Sequence, residues 1–340
     1  MTITTMALRC LALLLAAPLA LTADPPPVST TRANLVRYEG SRMSMACLYE
    51  IAAYGSDSGV LARVVEEAFD EVDRIDRLMS HYRDNSPLSQ INRDAASRPV
   101  AITPELFGFI ARALEYSRDS GGAFDITVGP LMKAWGFFRG DGRLPARGEL
   151  AAVLQRVGYR HVLLDHERGT VRFDVPGVEL DLGGIAKGYA VDRAVDVLRR
   201  HGVSAALVSA GGSTTYALGA PPHLDAWQLE LADPLDADST AFPVRIRDRA
   251  LSVAGSSEKF VEVDGTRYSH IMDPRTGMPV QGVLMVAVLA PTGTAGDALD
   301  DAFFVQGAEK TAARIAESPD TAAYFFLPAD RGRWALVRVP

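Results

Sequence analysis

Three groups of residues in this 340-residue chain have the types and spacings that chemistry needs. Asp297 and Asp301 stand four apart ahead of Phe303 and Phe304. On a helix that spacing puts both carboxylates on one face, where they can converge on one cation. Oxygen ligands in small number suit Mg²⁺, which completes its shell with water or substrate phosphate. Asp300 extends the acidic run, so a solvated charged face is the plainer alternative; the two phenylalanines argue against full exposure. The second group is Asp181-Leu-Gly-Gly-Ile-Ala-Lys187-Gly-Tyr-Ala-Val-Asp192, a glycine loop opening a helix. Unpaired N–H groups and the helix dipole at such a start favour a phosphate, and glycines let it approach the backbone. Neither G-x-G-x-x-G nor G-x-x-x-x-G-K-[ST] is present, so a tight connection without a ligand stays open. The third is His270, with no second histidine at a metal-binding spacing.

The elements that must position these groups follow from periodicity. Val178 to Asp181 reads as the end of a strand, and Val191, Ala194, Val195 and Leu198 recur at helical spacing up to a stop at Gly202. Ala205 to Ser209 reads as a buried strand ending in the turn Ala210-Gly211-Gly212-Ser213, so two glycine turns could face one ligand. Met43 to Tyr54 has strand character, and Val60 to Met79 is a helix with one apolar face that delivers His81 and Tyr82 at its end. Thr103-Pro104 starts another helix, Leu150 to Val157 a short one, and His161 to Leu164 pairs with Val171 to Val175. Phe260 to His270 is a hairpin on Asp264-Gly265 that presents His270 at its far end. Asp297 to Gln306 begins a helix, and Ala322 to Leu327 pairs with Trp334 to Val337. Strands outnumber helices and pair locally, which predicts an α+β fold.

Composition sets the outer limits. With 48% hydrophobic and 23% charged residues the chain has ample material for a core. Residues 1–23 carry only Arg9 before the apolar run from Cys10 to Leu21 and read as a secretory signal, too short to span a membrane as a helix. Residues 24–37, with three consecutive prolines, read as a linker, and residues 38–340 as one folded domain. Cys10 opens the apolar run and does not directly follow it, so the lipoprotein pattern is absent and a periplasmic location is expected, with no transmembrane segment after cleavage. Loss of Arg9 takes the net charge from -7 to -8, which disfavours nucleic acid as a partner. Cys47 alone would survive cleavage, so no intramolecular disulfide is expected.

The glycine loop and three further stretches together resemble the ApbE family, the FAD:protein FMN transferases. The others are Gly121 to Phe137, Tyr268-Ser-His-Ile-Met-Asp-Pro-Arg-Thr-Gly-Met-Pro279 and Gly296-Asp-Ala-Leu-Asp-Asp-Ala-Phe-Phe304, in the family's order. The resemblance implies mixed, largely antiparallel sheets packed by helices around a flavin cleft. It implies FAD contacts from Met45, Tyr82, Asp181, Lys187, Gly211, Gly212, Ser213 and His270, with Tyr82 stacking on the isoalloxazine and Lys187 near the diphosphate. Asp125 and Thr127 would support the pocket wall. It assigns Mg²⁺ to Asp297, Asp301 and a backbone carbonyl near Ala186, and makes His270 the base or positioning group for a threonine hydroxyl. That hydroxyl would belong to an exported domain of a membrane redox complex, and AMP would leave. Three departures stand out: Asp301 replaces a usual threonine, Ser213 a usual Asn or Asp, and Met45-Ala-Cys47 a usual Met-Gly-Thr. Two other readings stay open, an FAD pyrophosphatase that uses water as acceptor and a non-catalytic FAD-binding protein.

Overall fold

The computed structural model describes residues 35–138 and 142–340. The signal and most of the linker expected from the sequence lie outside them. Eight strands form one sheet in the order in which they occur along the chain: Val36–Ser44, Cys47–Gly55, Ala205–Ala210, Thr214–Leu218, Arg249–Gly255, Met285–Ala290, Ala322–Ala329 and Arg333–Val339. Every pairing is antiparallel. Helices and smaller sheets are insertions between neighbouring strands, and this makes the architecture α+β.

One face of the sheet is covered by three helices, Ser58–Met79, Ala186–Arg200 and Gly293–Gln306. The first is capped by Asp57, whose Oδ1 accepts the Val60 N–H at 2.9 Å, and it buries the stripe Leu61, Val64, Val65, Ala68, Val72, Ile75 and Met79. Each such aliphatic side chain contributes about 1.5–3 kcal/mol when removed from water. The opposite face carries the hairpin of Trp227–Asp233 and Asp236–Ile246, whose Trp227, Leu229, Leu231, Val244 and Ile246 meet Leu251, Met285 and Phe326. A third small core, Leu131, Trp135, Phe137, Val261 and Met272, joins the segment Gly129–Phe137 to the hairpin of Phe260–Val263 and Thr266–Ser269. Trp135 Nε1 donates to the Gly277 carbonyl at 2.9 Å and ties that unit shut.

Several sequence expectations need correction. Val178 to Asp181 is extended but pairs with no strand. Asn92 replaces the missing partner: its Oδ1 accepts the Leu180 N–H at 2.7 Å and its Nδ2 donates to the Leu180 carbonyl at 2.9 Å, while the Asp181 N–H reaches the Ile126 carbonyl at 2.7 Å. Met43 to Tyr54 is a hairpin, turned at Met45 and Ala46 with φ of +48° and +59°, and its first strand begins at Val36, inside the stretch read as linker. The helix carrying Asp297 starts four residues earlier than expected, at Gly293, because Thr292 Oγ1 caps it by accepting the Ala295 N–H at 3.1 Å. The short helix read at Leu150–Val157 runs from Arg147 to Leu154. A helix at Pro87–Asp94, capped by Ser86, was not foreseen.

The tightest packing is the crossing of the helices Ala186–Arg200 and Gly293–Gln306. A methyl group on Gly188 would fall inside the Gly293 carbonyl, and one on Gly293 inside the Gly188 carbonyl. Asp192 closes the same crossing by accepting the Gly293 N–H at 2.6 Å, the Thr294 N–H at 2.8 Å and the Thr294 hydroxyl at 2.6 Å. Gly188→Ala is therefore expected to lower stability by about 3 kcal/mol or more, because backbone has to move to admit the methyl. Gly108→Ala, in open space within the helix Pro104–Asp119, is expected to raise it by about 0.5–1 kcal/mol. Chemical denaturation of the two variants beside the wild type checks both signs.

Candidate active site

The glycine loop leads into a helix start whose N-cap residue, Ile185, makes no side-chain hydrogen bond, with Ala186 at its first helical position. The carboxylate helix is different, since Thr292 and Asp192 already occupy its first N–H groups. The glycine-loop helix start is itself partly taken, by Asp297 on the Gly188 N–H and by the Leu182 carbonyl on the Ala186 N–H, and what it offers an anion is the partial positive charge of the helix start beside Lys187. Asp181 Oδ1 accepts the Gly183 N–H at 2.8 Å and thereby shapes the loop. Gly184 is needed because Asp301 Oδ2 occupies the space a side chain there would fill.

Asp297 is 3% exposed. Its Oδ2 accepts the Gly188 N–H at 2.9 Å and its Oδ1 the Thr214 hydroxyl at 3.2 Å, while Thr214 also meets Ser252 at 3.0 Å. Burial raises its pKa against the pull of Lys187. The Asp301 carboxylate has no hydrogen bond or salt bridge among the described residues, and burial followed by the charge of Asp297 pushes its pKa up to about 7. Asp300, which the sequence allowed to be a solvated charge, is buried, and burial with its two acidic neighbours raises its pKa strongly. Carboxylates this reluctant to ionise side by side are the donors a hard cation would draw on. Among the described residues no three His, Cys, Asp or Glu side chains form a closed metal cage. A bound Mg²⁺ would therefore rely on Asp297, Asp301, backbone near Ala186 and oxygens of the substrate.

Lys187 Nζ lies 2.6 Å from Ser213 Oγ. Burial lowers its pKa, but Asp297 and Glu258 outweigh that and raise it overall, so the ammonium is held charged beside the acids. Gly211 and Gly212 adopt φ of +56° and +78° and bring Ser213 round to that lysine. Gly211 donates to the Leu48 carbonyl at 2.8 Å and packs on Cys47, so the turn sits against the hairpin tip that carries Met45. Tyr49 Oη reaches Met45 Sδ at 3.1 Å. Tyr82 is 58% exposed, and its ring lies near parallel to Phe138, with centroids 4.9 Å apart and planes 15° apart.

His270 is placed by a single carbonyl. The Lys259 oxygen accepts both its backbone N–H at 2.9 Å and its Nδ1 at 3.2 Å. A carbonyl can only accept, so Nδ1 carries the hydrogen and Nε2 the lone pair. Burial, then the positive charges of Lys259 and Lys187, push the imidazole down to about 4. The neutral ring with a free Nε2 is the form that can take a proton. Asp273 and Gly277 hold the turn beyond it, the Gly277 N–H reaching the Asp273 carbonyl at 2.8 Å. Asp125 and Thr127 lie further back: Asp125 accepts the Thr127 hydroxyl at 2.6 Å and the Tyr159 N–H at 2.7 Å, and Thr127 accepts the Gly158 N–H at 2.7 Å.

Of the site residues named from the sequence, Asp181, Ala186 and Lys187 fall on the glycine loop and the start of its helix, Gly211, Gly212 and Ser213 on the glycine turn, and Asp297 and Asp301 on the crossing helix. His270 falls at the end of its hairpin, Met45 at the tip of the first hairpin and Tyr82 in the turn after the helix Ser58–Met79. Sequence reasoning missed Thr214, Ser252, Asp192, Glu258 and His81. Thr214 follows the glycine turn directly, and strand alternation from Ser213 could have flagged it. Glu258 had no signal: burial raises its pKa, and its charge acts on Lys187, Cys47, Asp297 and Asp301.

This fold, a meander of antiparallel strands with helices on one face, is shared with a solved flavinyl transferase. The structure aligns with an ApbE protein from Thermotoga maritima at a TM-score of 0.81 and 30% identity, covering 89% of this chain and 97% of the other. It aligns with the apo form of the flavinyl transferase ApbE from Pseudomonas stutzeri at 0.79 and 28%, covering 90% and 95%. An FAD:protein FMN transferase from Treponema pallidum is 33% identical over 322 residues, 89% of this chain and 88% of that one. Residues 45–326 match the ApbE family model, and the chain belongs to the ApbE family. No helix among the described residues is long and apolar enough to cross a membrane.

The state of His270 is directly measurable. The unfolded chain takes up this proton near pH 6.5 and the folded one near 4, so the contribution of His270 to stability is lost as pH falls from about 6.5 through 4. Its Hε1 resonance, assigned by its disappearance in His270→Gln, is expected to stay at the neutral position down to pH 5. A midpoint near 6.5 would contradict the desolvated setting.

Proposed function

We propose that this chain is an FAD:protein FMN transferase that needs Mg²⁺ and works on exported acceptor domains. The observation that carries the reading is the convergence of the glycine-loop helix start, charged Lys187 and the Asp297–Asp301 pair at one place, with a free His270 Nε2 at the same site. The first three are what a dinucleotide pyrophosphate requires, and the last is what an incoming hydroxyl requires. The names of the relatives support the transfer of FMN from FAD, and the stretch Met1 to Ala23 supports export.

In this reading the glycine-loop N–H groups and Lys187 hold the diphosphate of FAD while Tyr82 supports the flavin ring. Asp297 and Asp301 would hold Mg²⁺, which when bound would supply charge neutralisation for the phosphate. The hydroxyl of an acceptor threonine forms a new P–O bond to the FMN phosphorus, and its proton passes to Nε2 of His270. The bond from that phosphorus to the bridging oxygen breaks, and AMP leaves with the electron pair. Positioning and charge stabilisation supply the rate, as is usual for phosphoryl transfer. Lys259 keeps the imidazole in the tautomer that can receive the proton.

The test is incubation of the purified chain with FAD, Mg²⁺ and a threonine-containing acceptor domain, with covalent flavin on the acceptor and AMP as paired readouts. AMP release at full rate without acceptor would make the protein a pyrophosphatase. Tight binding of intact FAD with no AMP at all would make it a carrier.

Asp297→Ala is expected to lower turnover at least about 100-fold, since it removes a ligand and leaves Gly188 and Thr214 without their acceptor. Asp301→Thr is expected to remain active with about tenfold weaker Mg²⁺ dependence, and Asp301→Ala to fall well below it, because only threonine retains a side-chain oxygen. A Mg²⁺ titration of the three variants decides it: an Asp301→Ala curve that overlays the wild type would remove Asp301 from the metal site.

A further inference from the structure

Among the described residues two buried side-chain polar atoms have no hydrogen-bond partner, Nε2 of His81 and Oε1 of Gln306. Gln306 is half satisfied through its nitrogen, which donates to the Ser120 carbonyl at 2.9 Å. His81 stands beside the glycine loop. Its side chain is 11% exposed and its Nδ1 lies 3.4 Å from Asp181 Oδ1. A carboxylate only accepts, so of the two neutral tautomers the one with its hydrogen on Nδ1 faces Asp181 without repulsion, and in it Nε2 is a lone pair. An unsatisfied buried acceptor costs about 1–3 kcal/mol, and native proteins keep few of them.

The surroundings indicate what would satisfy it. The imidazole packs against Tyr82 at 4.0 Å between centroids and against Phe138 at 5.3 Å. Phe138 in turn lies flat on Tyr82. One flat aromatic ring thus already covers Tyr82, and it does so beside an acceptor that lacks a donor. Oxidised isoalloxazine is a flat ring system with one N–H, the imide N3–H, between two carbonyls that cannot donate. The hydroxyls of the ribityl chain hang from the central ring and lie outside the flat stack.

We propose that His81 is a specificity residue for the flavin ring. When the isoalloxazine exchanges with Phe138 on Tyr82, its N3–H donates to Nε2 of His81, and Asp181 holds the imidazole in the tautomer that can accept. Asp181 thereby serves both ends of the site, shaping the glycine loop through the Gly183 N–H and orienting His81. The inference rests on FAD being the substrate and concerns the opposite end of that molecule from the metal.

The test compares FAD with N3-methyl-FAD, in which the donor is blocked, by the quenching of flavin fluorescence on binding. Wild type is expected to bind FAD about tenfold more tightly than the methylated flavin. His81→Phe keeps an aromatic ring and removes the acceptor, and is expected to bind the two flavins equally. His81→Leu repeats the measurement with a side chain of different shape, and the wild-type comparison needs no variant. Equal affinity of wild type for both flavins overturns the proposal, and so does an undiminished preference in either variant. A loss of affinity in His81→Phe that is the same for both flavins also overturns it, since that is the mark of a packing role. Wild type that binds neither flavin defeats the transferase reading itself, a result distinct from all of these.

Discussion

The site depends on two helices touching backbone to backbone. Gly188 and Gly293 let the glycine-loop helix and the carboxylate helix cross with no side chain between them. At that distance the Gly188 N–H, an amide of the first turn, finds the carboxylate of Asp297 at 2.9 Å. Asp192 makes the reciprocal bond, from the glycine-loop helix to the first N–H groups of its partner. Each helix therefore supplies an acid to the amino-terminal turn of the other. The exchange satisfies buried donors that would otherwise be orphaned, and it fixes the Asp297 carboxylate relative to the glycine loop. Ser252, beneath Gly296, and Thr214 extend the same fixation into the central sheet.

Rigidity on this scale explains why the functional groups sit at the ends of regular elements. Lys187 is in the first turn of a helix, Ser213 ends a glycine turn between paired strands, and His270 follows a two-residue hairpin. Lys259 and His270 face each other across the open end of that hairpin, so the antiparallel register itself decides which imidazole nitrogen is protonated. A phosphoryl transfer that works by alignment needs positions fixed to a fraction of an ångström. Sheet register and helix crossing supply that without large side-chain networks.

What could be read from the sequence divides along the same line. Periodicity and turn chemistry located the main helices, the hairpin on Asp264-Gly265 and the paired carboxylates, because each is a local pattern. The extended run at Val178–Asp181 was misread as a strand, since what satisfies it is Asn92, some ninety residues earlier. The strand at Met43–Tyr54 was misread for the opposite reason: Met45 and Ala46 turn with positive φ although neither is a residue that favours it, so the tip of the hairpin carries no turn signature. His81, Glu258 and Thr214 escaped because their importance lies in partners distant in sequence, and no spacing rule reports such partners.

The charge around the metal position has to balance in three dimensions, and this bears on Asp301 most of all. Four carboxylates, of Asp297, Asp300, Asp301 and Glu258, gather around the ammonium of Lys187, while exposed Lys259 adds its charge beside Glu258 and His270. Every one of those acids is shifted toward its neutral form, first by desolvation. The two lysines cannot compensate four ionised acids, and an incoming pyrophosphate adds further negative charge. In the proposed reading a divalent cation would make the full set compatible, since it would favour the ionised acids and the phosphate together. Asp301 in place of a neutral oxygen donor raises that demand by one charge. In the proposed reading a cation there would favour the ionised form of Asp301, whereas burial and Asp297 favour its neutral form.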